Sequence, residues 1–186
     1  VNLPNQSLKW NEKAVAIEPR FRLALAMENN KLGNKDKAVD LCLEAFSDTG
    51  DTSYLIALTQ ILITGKASPH HFQKANPIFS KALVNKTFNR GQRINLLLSI
   101  ANVRIAGEGR TRDAIELYEQ AAKLAPGNLL ILNNLATAYS EPEGELNVAM
   151  EYINQALLRH GNRPELIDTK AVILMKLGKL QSALEL

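Results

Sequence analysis

Apolar residues along this chain recur at helical spacing. Runs such as Leu96-Leu97-Leu98-Ser99-Ile100-Ala101-Asn102-Val103 place large side chains three and four positions apart. No stretch alternates with period two, so the pattern predicts helices and no strands. Alanines then mark a repeat. Ala38 and Ala45, Ala75 and Ala82, Ala114 and Ala121, and Ala149 and Ala156 are pairs seven residues apart, about two helical turns, so each pair shares one helix face. Four residues after each first member stands a larger apolar residue: Cys42, Phe79, Tyr118 or Ile153. The first members recur at intervals of 37, 39 and 35 residues, and Ala183 follows after 34 more. Ala14 fits the second position of an earlier pair.

A second alanine series lies upstream of each pair: Ala26, Ala57, Ala101, Ala136 and Ala171. Between the two series comes a glycine: Gly33, Gly65, Gly109, Gly144 or Gly178. Glycine is expected where a helix ends through a left-handed residue. Four of these precede the paired alanine by five residues, and Gly65 by ten, so the second unit has a longer turn. Within it, Ser68-Pro69 reads as a helix start. Pro19, Pro126 and Pro164 mark other helix ends or starts, and Asn128 is placed to cap the helix after Ala125-Pro126-Gly127.

The expectation is an all-α chain of about 11 helices, a right-handed solenoid of helix-turn-helix units forming a single domain over 1–186. Its boundaries fall at a partial repeat 1–19, repeats near 20–50, 51–88, 89–127 and 128–162, and a partial repeat 163–186. Val1 opens the chain and Leu186 ends it inside an apolar periodic segment, which points to a piece of a longer polypeptide.

Composition narrows the chemistry. Hydrophobic residues are 46%, charged residues 22% and aromatics 5%, a globular balance suited to close helix packing. A net charge of +3 is mild and argues against a dedicated nucleic-acid binder. With one cysteine, no intrachain disulfide can form. No apolar run approaches the ~18 residues of a membrane span. No signal-peptide pattern follows Val1, the address of the longer polypeptide is not visible in these residues, and cytoplasm and periplasm are both open.

These phased residues resemble the tetratricopeptide repeat, a helix-turn-helix unit with small residues at three set positions, glycine at its turn and proline near its end. The best match is Asn95 to Pro126, with Ala101, Gly109, Ala114, Tyr118, Ala121 and Pro126 in place; Leu129–Ala156 and Leu166–Leu184 follow closely. The first two units depart more, with Gly50 in place of the first unit's proline and the long turn in the second. Asn133-Asn134-Leu135-Ala136, answered by Asp168-Thr169-Lys170-Ala171, is similar to bacterial members of the family, some from envelope or exopolysaccharide-export systems.

The resemblance implies a scaffold that binds a protein or peptide in a concave groove lined by the first helix of each unit, with no catalytic residues, cofactor or metal. On the family pattern that face offers Leu23, Met27, Tyr54, Leu58 and Ile61 at the N-terminal end. Asn95, Asn102, Asn133, Asn134 and Thr137 lie in the middle, and Asp168, Val172, Met175 and Lys176 at the C-terminal end. Of these, Met27, Tyr54, Leu58, Asn102, Asn133, Asn134 and Thr137 are the expected partner contacts. Ala38, Ala45, Ala114, Ala121, Ala149 and Ala156 are the structural small residues. An apolar end suits an amphipathic helix. Asparagine amides both donate and accept, and can hold an extended backbone.

Some family members clamp a C-terminal carboxylate with Lys, Asn and Arg. Here Asn102 and Asn134 match the two Asn positions, but the basic positions hold Leu98, Glu165 and Thr169, which excludes that function. The alternatives are a docking arm of a larger enzyme or of an envelope or export assembly, and RNA binding in the manner of pentatricopeptide repeats. The last conflicts with the variable spacing and apolar reading positions.

The remaining candidates read as structural. His70 and His71 form a surface turn, and adjacent residues on a helix point about 100° apart, so they make no metal site. His160 lies near a helix end, where a cation is favoured. Cys42 is a core thiol. Glu116 and Glu119 lie on solvated helix faces. Lys81, Lys86, Arg90, Arg93, Arg104, Arg110 and Arg112 form a solvated basic cluster, without the interleaved aromatics that stack on bases.

Overall fold

The computed structural model describes Lys9 and residues 21–64, 67–141 and 145–186. Among them are ten α-helices and no strand: α1 (Arg22–Lys31), α2 (Lys35–Thr49), α3 (Thr52–Ile63), α4 (Pro69–Leu83), α5 (Arg90–Asn102), α6 (Thr111–Leu124), α7 (Leu129–Tyr139), α8 (Leu146–His160), α9 (Pro164–Lys176) and α10 (Leu180–Leu184). The odd-numbered helices α1, α3, α5, α7 and α9 are the first helices of the five expected units, and α2, α4, α6, α8 and α10 the second. The all-α helix-turn-helix repeat is therefore the fold. Ala14 and Pro19 of the partial repeat 1–19, and the turn glycines Gly65 and Gly144, lie outside the described residues. Two compact units are distinguished, Val1–Gly107 and Glu108–Leu186, and the division falls between α5 and α6.

In the first unit the stripe Ala38-Cys42-Ala45 of α2 is wholly buried, as are Ala75 and Phe79 of α4. Against them stand Leu25 and Ala26 of α1 and the large side chains of α3. Local chemistry sets the helix ends. Gly33 and Gly50 take left-handed φ of 82° and 68° at the ends of α1 and α2. The Asp51 carboxylate accepts the Ser53 N–H at 2.9 Å to start α3. Asn89 and Gln92 cap α5 reciprocally, at 2.9 and 3.0 Å. Basic side chains close helix C-termini, where unpaired carbonyls favour cations. The Lys35 ammonium donates to the carbonyls of Ile61, at 2.6 Å, and Thr64. Partial burial there lowers its pKa. The Arg93 guanidinium donates to the Asn85 carbonyl at 2.8 Å.

Two sequence expectations need correction. His70 is exposed, but His71 is buried and belongs to the start of α4: the Ser68 N–H donates to its Nδ1 at 2.8 Å, leaving Nε2 3.2 Å from an Asp36 carboxylate oxygen. A histidine three residues after Ser68 performs the part that Glu or Gln plays in a capping box. The basic cluster is likewise largely committed. Arg104 is buried and donates to the Asn76 side-chain oxygen at 2.8 Å, Arg93 serves a helix end, and Arg110 and Arg112 pair with Asp113 and Glu145. Beyond Asn102, α5 runs on as one π-helical turn, Val103–Gly107, a local widening that simple helical periodicity does not reveal. A Cβ at Gly107 would come within 2.8 Å of the Phe72 ring edge, so a larger residue there makes the ring shift.

In the second unit α6 to α10 pack in succession. The stripe Ala149-Ile153-Ala156 of α8 sits in one cluster with Leu132 and Ala136 of α7 and Leu166 and Ile173 of α9. The methyl groups let the axes approach while Ile153 fills the space between them. Asn128 caps α7, accepting the Ile131 N–H at 3.2 Å, and His160 Nε2 lies 2.8 Å from the Gly127 carbonyl. The Tyr139 hydroxyl donates to Glu119 at 2.6 Å, and its ring stacks on Tyr152 with centroids 5.6 Å apart. Burial first, then that carboxylate, raises the Tyr139 pKa.

Ala121 has no exposed surface, so Ala121→Leu overpacks its site and costs roughly 1–3 kcal/mol in denaturant unfolding. Gly107→Ala costs a similar amount, whereas Gly91→Ala, whose Cβ meets nothing closer than 3.4 Å, stabilises α5 by about 0.5–1 kcal/mol. Burial pushes the Cys42 thiol from 9.0 up to about 12. Below pH 9 both folded and unfolded chains hold this proton. As pH rises from 9 toward 12 only the unfolded chain ionises, so stability falls, by at most about 1.4 kcal/mol per pH unit. Urea titrations of Cys42→Ala should lack that loss, and a thiol-reactive dye should label Cys42 only on unfolding.

Candidate functional site

The first helices pack side by side within each unit: α1 on α3 and α3 on α5 in the first, α7 on α9 in the second. Their outward face is where the expected contact residues belong, and the structure sorts those residues unequally. Leu58 is 0% exposed and Tyr54 7%, and Ile61 is fully buried too. These side chains fill the core and offer no surface to a ligand. The signal was in α3 itself: Tyr54-Leu55-Ile56-Ala57-Leu58 is apolar all round, the mark of an enclosed helix. Leu23 and Met27 are half-buried on α1, and Asn102 is exposed at the end of α5.

In the second unit, Asn133 and Asn134 are half-buried on α7 and Thr137 is exposed one turn on. The Asn133 Oδ1 is enclosed without a hydrogen-bond partner among the described residues. Thr137 helps line an open cleft of about 200 Å³ between α7 and α9, together with Ser140, Glu141, Asp168, Thr169 and Val172. Thr137, Ser140 and Glu141 share one face at helical spacing, as do Asp168, Thr169 and Val172. The 35-residue offset makes Asp168, Thr169 and Val172 the counterparts of Asn133, Asn134 and Thr137. Ser140 and Glu141 were not anticipated, although counting three and four residues on from Thr137 reaches both.

The rim is fixed by Lys176. Its ammonium donates to the Ser140 carbonyl at 3.1 Å, at the C-terminus of α7, and to the Glu141 carboxylate at 2.7 Å. Lys176 thus closes a helix end as Lys35 does in the first unit. The Ser140 hydroxyl donates to the Thr137 carbonyl at 2.7 Å, and the Thr169 hydroxyl to the Glu165 carbonyl at 3.0 Å. The cleft therefore presents mostly acceptors, with the exposed Thr137 hydroxyl able to donate as well, one carboxylate without a partner among the described residues (Asp168), and the half-exposed side chain of Val172. Such groups can engage a ligand by hydrogen bonds, charge and apolar contact. Among the described residues no group of three or more His, Cys, Asp or Glu side chains could hold a metal ion, and no helix is long and apolar enough to cross a membrane.

Residues 106–173 match the tetratricopeptide repeat family. No curated protein sequence matches the chain. Among solved structures, the chain is similar to TTC0263, a thermophilic tetratricopeptide protein of Thermus thermophilus, at 19% identity over 89% of this chain and 86% of that one, with a TM-score of 0.55. It is also similar to MamA MSR-1, at 16% identity over 91% and 92% and a TM-score of 0.57, and to MamA AMB-1, at 18% over 91% and 88% and 0.55. At these identities the likeness concerns the fold. Residues 106–173 thus match the tetratricopeptide repeat, and the fold is similar to that of solved tetratricopeptide-repeat proteins.

Proposed function

We propose that this chain is a binding scaffold that holds an extended protein segment along the first-helix face of its repeats. The observation that carries this is the cleft between α7 and α9, where Thr137, Asp168 and Val172, all placed on the expected binding face by the repeat register, line one open space. Asn133 and Asn134 stand one turn before Thr137 and extend the polar surface along α7. The enclosed core residues Tyr54 and Leu58 shift the binding surface away from α3 and toward the second unit. Single domain organisation over 1–186 belongs to the same proposal.

Selecting random extended peptides on the intact chain and mapping the winners by amide chemical-shift changes tests the reading. The selected peptides should perturb α7 and α9. Replacing both Asn133 and Asn134 by Ala should weaken them about tenfold, near 1.4 kcal/mol. The melting temperature should hold, because removing an enclosed acceptor that lacks a partner costs the fold little. Selected peptides that perturb only α2, α4, α6 or α8 would refute the assignment.

A further inference from the structure

We infer that the cleft between α7 and α9 receives one basic side chain, an arginine or lysine of the partner segment. This deepens the binding reading above and rests on it. Three features converge. The first is size: about 200 Å³ suits one long side chain and is far too small for an amphipathic helix, which needs a groove several turns long. The second is hydrogen-bond polarity. The Ser140 and Thr169 hydroxyls both direct their protons to backbone carbonyls, at 2.7 and 3.0 Å, and the buried Ser140 oxygen already accepts from the Lys176 ammonium at 3.4 Å, so Thr169 is the hydroxyl that offers a ligand an acceptor. Glu141 and Asp168 as carboxylates also only accept. Thr137 is the one lining hydroxyl whose proton is not so directed, and lysine and arginine, the cationic side chains that only donate, complement a wall made mostly of acceptors.

The third feature is charge. Lys176 pairs with Glu141 at 2.7 Å, which leaves the Asp168 carboxylate as the uncompensated charge on the wall. A cation above Asp168 completes an ion pair, and an acidic side chain is repelled. The half-exposed Val172, at 42%, provides the apolar strip along which the methylene stem of lysine or arginine lies while its head stays polar.

The test uses the full chain and four capped alanine pentapeptides carrying Arg, Lys, citrulline or Glu at the centre, followed by amide chemical shifts at low salt. Citrulline keeps the shape of arginine and removes its charge. Arg and Lys peptides should move the amides of Thr137, Ser140, Asp168, Thr169 and Val172, and should bind at least about tenfold tighter than the citrulline and Glu peptides. Added salt should narrow that gap. Asp168→Asn should remove most of the Arg preference and leave citrulline binding unchanged, and Asp168→Lys should reverse the preference toward Glu. Asp168 is exposed, so both variants keep the wild-type melting curve. Equal binding of Arg and citrulline peptides, or an Asp168→Asn variant that binds Arg undiminished, overturns the inference. Arg peptides that move only α1, α3 or α5 overturn it and leave the first-helix reading standing. Selected peptides that bind none of the first helices overturn both.

Discussion

Close approach of neighbouring helices is the constraint on which this structure depends. Helix axes pack about 8–10 Å apart, and the near end of that range requires side chains no larger than a methyl group where the helices cross. Ala38, Ala45, Ala114, Ala121, Ala149 and Ala156 have no exposed surface at all. Between the paired alanines, Cys42, Tyr118 and Ile153 fill the wider space left by the turn of the helix, and each is buried. The stripe works as a unit. Ile153 reaches Leu132, Leu166 and Ile173 because Ala149 and Ala156 let α7 and α9 close on α8. A single helical pair has no such second neighbour, which is why the unit recurs.

Polar groups then fix where each helix stops. Short connections leave carbonyls at helix ends, and these find cations from elsewhere in the same unit. Lys35 reaches the end of α3, Arg93 the end of α4 and Lys176 the end of α7. These three cations are thus used inside the fold, without an external anion. The same arrangement shapes the cleft. Lys176 ties Glu141 to the end of α7, so the rim is ordered and Asp168 is left with an open charge.

Binding chemistry follows from what the core does not use. α3 is mostly apolar and turns most of its surface into the first unit, taking Tyr54 and Leu58 with it. α7 and α9 are amphipathic in the ordinary way: Leu132, Ala136, Leu166 and Ile173 face the core, and Thr137, Asp168 and Val172 remain outside. The exposed face of these first helices is therefore smaller and more polar than the repeat register alone suggests.

The sequence by itself determined the helical class, the phase of the repeat, the burial of the paired alanines and the caps at Ser68 and Asn128. These depend on residues a few positions apart, where spacing fixes geometry. It also put Thr137, Asp168 and Val172 on one face, because a 35-residue offset superposes equivalent turns. Tertiary structure decided the rest. Whether Leu58 is groove or core depends on how completely its neighbours enclose α3, and His71 is drawn inward by Ser68 beside it and Asp36 from another helix. Arg104 is buried because Asn76, 28 residues away, receives it. The cleft lies where α7 packs beside α9, and at its rim Lys176 bridges to Ser140 and Glu141, 36 and 35 residues earlier, a distance along the chain that no local pattern spans.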